Sequence, residues 1–128
     1  MEKRNEVMPR REITMHKVNL VNDKLQIYTL DGPGPGGANH EYVIESERRG
    51  TECRISFQNG PIGEVGVNGV TQEALIAVCI DRLECFQAGA FASEYNAKAL
   101  TALKESLHWL LQRTRDRMDR GVEGFNKQ

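Results

Sequence analysis

The C-terminal half of this sequence carries two long runs of apolar residues at helical spacing, separated by a short stretch of small residues. Thr71 and Ser93 stand just before the two runs, and both are favourable helix N-caps. Gly89 breaks the first run and Gly121 ends the second. The part of the chain from about residue 69 to about residue 124 is therefore predicted to be a long antiparallel helical hairpin.

The first predicted helix, from Gln72 to about Ala88, is apolar around most of its circumference. A helix of this kind must be covered on more than one side, which predicts a partner chain in addition to the second helix. One outward stripe consists of Glu73, Ala77, Asp81, Glu84 and Ala88. The apolar stripe of the second helix consists of Leu100, Leu103, Leu107, Leu110, Leu111, Thr114 and Met118.

The N-terminal half has the shorter apolar spacing of β-strands, which predicts three or four antiparallel strands between Glu12 and about Gln58. Turns are expected at Asn22-Asp23 and Arg49-Gly50, because these residue types tolerate tight hairpins. The predicted strand positions are Ile13, Met15, Val18 and Leu20, then Leu25, Ile27 and Leu30, then Tyr42 and Ile44, then Cys53, Ile55 and Phe57. The expected fold class is α+β, with a small N-terminal antiparallel β-sheet (about 12–68) and the hairpin (about 69–124) in a single domain of 128 residues.

Two glycine-rich stretches connect these elements. Asp31–His40 is too rich in Gly and Pro for regular structure, and it lacks the GxxxxGK[ST] pattern and following helix of a P-loop. It is either a wide surface turn or a loop whose backbone can approach a ligand. Asn59–Gly69 is the second connection and leads to the N-cap of the first helix.

Composition excludes several function classes. With 17 basic and 18 acidic side chains the formal net charge is −1, so no basic field covers the chain, and any phosphate site must be local. The three cysteines form no CxxC pair, which predicts reduced thiols and no disulfide. No signal peptide or membrane span is recognisable, so a soluble cytoplasmic protein is expected. The polar segment Met1–Arg11 has no assigned role.

Catalysis and metal binding are not favoured by any motif. His16, His40 and His108 are scattered over a strand, a loop and a helix, without HxxxH or HExxH spacing. No serine lies in a nucleophile elbow, and the cysteines lack zinc-site spacing. We therefore expect neither an enzyme nor a metal or other cofactor.

Four residues of the hairpin are the candidates for ligand binding. Arg113 and Arg117 are like charges one helical turn apart, an arrangement that costs a few tenths of a kcal/mol unless an anion or another chain offsets it. Phe86 offers a ring for a planar base, and Asn96 offers a carboxamide. Each has an alternative interpretation: a solvated helix end for the arginines, a core aromatic for Phe86, and a backbone cap for Asn96.

The spacing of these candidates predicts an assembly. Asn96 and Arg113 are 17 positions apart on one helix, or about 25 Å at the rise of an α-helix. One small nucleotide cannot reach both within one chain. If all four residues act together, two chains must pack so that the hairpin tip of one meets the arginines of the other.

Two segments of the hairpin, IDRLxxFQxGxF at residues 80–91 and RTxxRxxRGVEG at residues 113–124, resemble a known group. They are similar to the helical-hairpin domain shared by two classes of phage immune-evasion sponge. One class is the anti-CBASS proteins that sequester cyclic oligonucleotides, and the other is the first class of Thoeris anti-defence protein. The front half, with DGPGPGGANHEY and ISFQNGPIGEVGVNG, resembles the Thoeris class. The resemblance covers about residues 12–124.

This resemblance implies a non-enzymatic scavenger in the cytoplasm of the infected bacterium, which binds glyco-cyclic ADP-ribose made by host TIR-domain proteins. In that family the ligand lies between protomers of a homo-oligomer, often a hexamer, with an aromatic and an arginine on the base and arginines on the pyrophosphate. Matching the motifs assigns these roles to Phe86, Asn96, Arg113 and Arg117, with the loop around Asn39 as a weaker candidate. Some members also bind cyclic trinucleotides at a second site.

Three alternatives remain open from the sequence. The first is a sponge for cyclic di- or trinucleotides that blocks CBASS immunity. The second is an enzyme that cleaves the signal, and the third is an interaction protein that acts on an ATPase or a structural assembly. DNA, RNA and membranes are not expected partners.

Overall fold

The computed structural model describes residues 10–121. The polar arm predicted for Met1–Arg11 lies mostly outside this range, as does the predicted hairpin end at Gly124 with the last letters of the RGVEG segment. The chain divides into two compact units, Met1–Asn59 and Gly60–Gln128. Whether the 128 residues act as one domain stays a prediction.

Unit 1 is built on a four-stranded antiparallel sheet with the strands in chain order. The strands are β1 (Glu12–Ile13), β2 (Leu25–Thr29), β3 (Glu41–Ser46) and β4 (Gly50–Ser56). Val43 and Thr29 are its most buried side chains. The expected turn at Arg49-Gly50 is confirmed, because Gly50 takes a positive φ of 75° at the start of β4.

The expected first strand is wrong beyond Ile13. Met15 and Val18 lie in a turn, and a single helical turn, α1 (Leu20–Asp23), replaces the predicted Asn22-Asp23 hairpin turn. The Asn19 side chain accepts a hydrogen bond from the Asn22 backbone N–H at 2.8 Å. This local N-cap bond competes with strand pairing and favours a helical turn, which apolar spacing alone does not reveal.

The glycine-rich loop is organised by one carboxylate. Asp31 accepts backbone N–H bonds from His40 at 3.0 Å and Glu41 at 3.2 Å, and the Asn39 side chain donates to its carbonyl at 2.6 Å. Burial by itself raises the pKa of the Asp31 carboxyl, but these backbone hydrogen bonds and the Asn39 side chain outweigh burial and hold the pKa below its ordinary value. Contrary to the prediction from its composition, the loop is not wholly irregular, because it contains a 3-10 turn, Pro35–Gly37, and a backbone bond from the Gly34 N–H to the Ala38 carbonyl at 2.7 Å. Asp31 closes this loop from its first residue to its last.

Gly34 lies directly on the buried ring of His40, which explains one glycine of this loop. A Cβ at position 34 would stand 3.0 Å from Cε1 and 3.1 Å from Nδ1 of that ring. We expect Gly34→Ala to destabilise the sheet unit by roughly 1–3 kcal/mol, the usual cost of overpacking. Urea unfolding measures this. Gly89→Ala is the control, because a Cβ there meets nothing closer than 3.8 Å. Equal stability of the two variants would contradict the packing assigned to His40.

Unit 2 is the predicted hairpin, preceded by a single helical turn, α2 (Ile62–Val65). Its long helices are α3 (Gln72–Gln87) and α4 (Glu94–Asp119). Both predicted N-caps are confirmed: the Thr71 hydroxyl accepts from the Ala74 backbone N–H at 3.1 Å, and the Ser93 hydroxyl from that of Asn96 at 3.0 Å.

The predicted apolar stripe of α4 is partly buried from Leu100 to Thr114, but its last member, Met118, is 61% exposed. Ile80 of α3 is the most buried apolar side chain of unit 2, and Lys104 of α4 pairs with Glu84 of α3 at 2.8 Å. Val78 is 65% exposed, and Ala74 and Cys85 on the same side of α3 are also exposed. Within a single chain α3 thus retains exposed apolar residues, on a side that also carries the exposed charges of Asp81 and Arg82. The α+β fold class is confirmed.

Candidate functional site

The tip of the hairpin brings Phe86 and Asn96 to the same place. Phe86 lies at the end of α3 and Asn96 in the first turn of α4. Phe91, in the turn between the helices, contacts both. Its ring meets the Phe86 ring edge to face, with centroids 6.3 Å apart and planes at 74°, and its carbonyl oxygen accepts from the Asn96 side-chain amide at 3.3 Å.

The turn that makes this arrangement is closed by Gln87 and Ser93. The Gln87 side-chain amide donates to the Ser93 carbonyl at 3.1 Å, and its oxygen accepts from the Ser93 backbone N–H at 2.9 Å. The Ser93 hydroxyl in turn caps α4 at Asn96. Because one glutamine bonds to both backbone polar groups of Ser93, the end of α3 and the start of α4 are fixed to each other.

Arg82 completes the group at the tip. It lies one turn before Phe86 on α3, and its guanidinium carbon stands 4.9 Å from the centroid of the Phe86 ring. Within residues 10–121 no carboxylate forms an ion pair with this guanidinium, and its contact there is with the Phe86 ring. We call Arg82, Phe86, Phe91 and Asn96 the tip cluster.

Arg113 and Arg117 lie near the other end of α4 and differ in burial. Arg113 is exposed, whereas Arg117 is partly buried on the same stripe as Thr114. The like-charged pair is thus in place, but Arg117 already has an interaction within the chain. Its neighbours are paired locally: Arg120 binds Asp116 at 3.0 Å and Arg115 binds Gln112 at 2.5 Å.

The tip cluster and the two arginines occupy opposite ends of one helix. α4 is continuous from Glu94 to Asp119, so the 17 positions between Asn96 and Arg113 span about 25 Å. The structure therefore brings Phe86 and Asn96 together but keeps both away from Arg113 and Arg117 within one chain. A ligand that touches all four residues has to lie between two copies.

The Asn39 side chain of unit 1 is hydrogen-bonded to Arg11 and to Asp31. Its side-chain oxygen accepts from the Arg11 guanidinium at 2.5 Å, and its amide nitrogen donates to the Asp31 carbonyl. One lone pair of the carboxamide oxygen is not used by these bonds, so the oxygen can accept a further hydrogen bond from a ligand. Its role as a ligand residue stays a prediction.

Neither a metal site nor a membrane span is found in the described part of the chain. Among residues 10–121 no group of three or more His, Cys, Asp and Glu is arranged to hold a metal ion. Within the same range no helix combines the length and the apolar character needed to cross a bilayer. The three cysteines are free and exposed.

Sequence reasoning missed Arg82 and Phe91. Each of the two residues has a sequence feature that could have identified it. Arg82 has no acidic residue three or four positions away on its helix, and it precedes Phe86 by one turn. Phe91 is the one large side chain in a turn that otherwise consists of alanine, glycine and serine, and it is 75% exposed.

Comparison with known proteins bears on the same half of the chain. The family described as Acb2/Tad1, hairpin domain, matches residues 50–115, which include α3 and most of α4. The chain is also 44% identical over 91 residues to Thoeris anti-defense 1 of Bacillus phage SBSphiJ7. That match covers 71% of this chain but only 64% of the relative, so the chain spans less than two thirds of that protein's length. Because the family match covers more than half of the sequence, the chain belongs to the Acb2/Tad1 hairpin domain family.

Proposed function

We propose that this protein is a phage anti-defence sponge, which binds glyco-cyclic ADP-ribose in the infected cell and holds it without cleavage, so that Thoeris immunity is not activated. The proposal rests on one observation. The side chains that suit a nucleobase, Phe86 and Asn96, lie at the tip of the hairpin, whereas those that suit a phosphate, Arg113 and Arg117, lie near the opposite end of α4. The similarity to Thoeris anti-defense 1 supports the biological setting.

The tip cluster has the chemistry for the base. An aromatic ring stacks on any nucleobase, with an energy of about 1–3 kcal/mol per base. The Asn96 carboxamide is partly buried beside it and can donate to and accept from a base edge or a ribose hydroxyl. Phe86 and Asn96 therefore suit the adenine-ribose part of the ligand.

The arginine end has the chemistry for the pyrophosphate. A guanidinium forms paired, charge-assisted hydrogen bonds with phosphate oxygens, and Arg113 is exposed and available for this. Two guanidiniums one turn apart match the two charges of a pyrophosphate, which offset the repulsion between them. The formal net charge of −1 does not attract an anion to the chain as a whole, so the local positive charges of the site have to attract the pyrophosphate.

The second copy is supported by the exposed apolar residues of α3. Exposed apolar surface is costly in water, by about 25 cal/mol per Å², and Val78, Ala74 and Cys85 leave such a surface beside the packed hairpin. In an antiparallel dimer a tip and an arginine end meet twice, which gives two equivalent sites. Such dimers are also suitable building blocks for the hexamer that the family resemblance implies.

Binding followed by heat release tests this proposal. Calorimetry with glyco-cyclic ADP-ribose is expected to show tight binding, and denaturing the complex is expected to return the intact ligand. A degraded product would assign an enzyme instead of a sponge. Cyclic di- and trinucleotides are titrated in parallel: binding of these alone would identify a CBASS sponge, and no binding of any nucleotide would favour a protein that acts on another protein.

A further inference from the structure

The Phe91 side chain is an exposed aromatic whose position the hairpin fold by itself does not require. It is 75% exposed, and the turn around it is closed by Gln87 and Ser93 without its help. A large apolar side chain left in water at a two-helix turn gains little stability from burial. Its contacts are therefore better explained by what they do to its neighbours.

Phe91 touches both base-type residues of the tip cluster. Its ring packs edge to face on Phe86, and its carbonyl accepts from the Asn96 amide nitrogen. The first contact restricts the rotation of the Phe86 ring. The second engages the nitrogen end of the Asn96 carboxamide, and no described hydrogen bond within residues 10–121 engages its oxygen.

The Phe86 ring is also in contact with Arg82, so its described contacts are with two groups, the Phe91 ring and the Arg82 guanidinium. The guanidinium stacks over the ring, and an exposed cation–π contact is worth about 0.5–1 kcal/mol. This is less than the stacking energy of a nucleobase. A base can therefore displace Arg82 from the ring, whereas the edge contact with Phe91 can persist beside the stacked base.

We propose that Phe91 is a positioning residue for a planar, base-bearing ligand, which holds the Phe86 ring and the Asn96 carboxamide in the orientation that binds the base. The role deepens the proposed function and rests on it for the identity of the ligand. Phe91 acts through its neighbours: the ring sets Phe86 and the backbone carbonyl sets Asn96. Preformed orientation raises affinity because less side-chain freedom is lost when the ligand binds.

The first test compares affinities for glyco-cyclic ADP-ribose by calorimetry. Phe91→Ala is expected to weaken binding roughly 3- to 10-fold, the range that corresponds to the loss of one aromatic pair. Phe91→Tyr keeps the ring and is expected to retain the wild-type affinity. Tyr95→Ala is the matched control, because Tyr95 is an aromatic at the same tip that is 84% exposed, and it is expected to change nothing. Wild-type affinity for Phe91→Ala would overturn the proposal.

A mutant cycle shows whether Phe91 acts through Phe86. Adding Phe91→Ala to Phe86→Leu is expected to cost much less than Phe91→Ala costs alone, because the ring that Phe91 orients is already gone. Fully additive losses would contradict a positioning role. Thermal melts of the variants are expected to stay close to the wild type, since Phe91 is mostly exposed.

A measurement without ligand separates this inference from the proposed function. Aromatic carbon relaxation of Phe86 in the free protein is expected to show greater ring mobility in Phe91→Ala than in the wild type or Tyr95→Ala. Unchanged ring mobility would overturn the positioning role whether or not the ligand is correct. If the wild type binds no glyco-cyclic ADP-ribose, the proposed function fails, and the ring mobility still decides the role of Phe91.

Discussion

Arg113→Ala is expected to weaken the binding of glyco-cyclic ADP-ribose by roughly 10- to 150-fold, because a hydrogen bond to a charged group contributes about 1.5–3 kcal/mol. The change removes an exposed side chain near the end of α4. The oligomer and the melting temperature are expected to stay unchanged. Calorimetry and size-exclusion chromatography measure the two effects separately.

Arg115→Ala is the matched control for this loss. Arg115 is an exposed arginine only two positions away on the same helix, so it points to a different side, and it bonds to Gln112. The control removes the same charge from the same helical turn and is expected to leave the affinity almost unchanged. Equal losses for the two variants would show that general charge, rather than a bond from Arg113, attracts the ligand.

Asp31→Ala is expected to cause the largest loss of stability in unit 1, of about 2–4 kcal/mol. The carboxylate accepts the partly buried His40 and Glu41 backbone N–H groups, and each donor left without an acceptor is expected to cost about 1–2 kcal/mol, the lower part of the range for buried donors. Asp31→Asn keeps one acceptor oxygen and is expected to lose roughly half as much. Hydrogen exchange at the amides of β2 and β3 measures the effect. Hydrogen-exchange protection equal to the wild type in Asp31→Ala would contradict the stabilising role assigned to the Asp31 carboxylate.

The same carboxylate predicts a dependence on acid. The pKa of Asp31 is lower in the folded chain than its ordinary value, so its contribution to stability is fully present above an ordinary Asp pKa of about 4. The contribution is lost as the pH falls through the lowered value, because protonation weakens the acceptor. The stability difference between the wild type and Asp31→Asn is therefore expected to shrink as the pH falls below about 4.

The hairpin could be predicted from the sequence because local signals and apolar spacing agree there. Thr71 and Ser93 cap the two helices, and Gly121 with a φ of 74° follows the last one. A 3.6-residue apolar repeat sustained over many turns leaves little alternative to a helix. The observed ends of α3 and α4 accordingly fall within about a residue of the predicted ones.

The region from Thr14 to Lys24 could not be predicted in the same way. Met15, Val18 and Leu20 have apolar side chains at spacings that fit a strand, yet all three are exposed. A short apolar alternation is ambiguous, and here a side-chain cap at Asn19 determines the local backbone. The hydrogen bonds of the Asp31 carboxylate could not be predicted either. They join it to backbone N–H groups nine and ten positions away, across a loop whose composition predicts no regular structure.

The candidate site was predictable as a set of residue types but not as a set of contacts. Helical spacing was sufficient to place Asn96 and Arg113 far apart on one helix. It did not show that Phe91 and Arg82 meet the Phe86 ring, because these contacts depend on the path of the turn and on side-chain rotamers. The hydrogen bond that the Asn39 carboxamide accepts from Arg11 was likewise not predictable, because Arg11 is 28 positions away in the sequence.

Complementation between two defective copies tests most directly whether the ligand is shared. Phe86→Ala and Arg113→Ala are each expected to bind much more weakly than the wild type when purified alone. Co-expressed in one cell and purified as mixed assemblies, they are expected to regain wild-type affinity at about one quarter of the sites, because half of randomly formed pairs are mixed and each mixed pair has one intact site of two. Calorimetric stoichiometry reads this fraction. No restored binding in assemblies shown to be mixed would contradict a site that takes its tip from one copy and its arginines from the other.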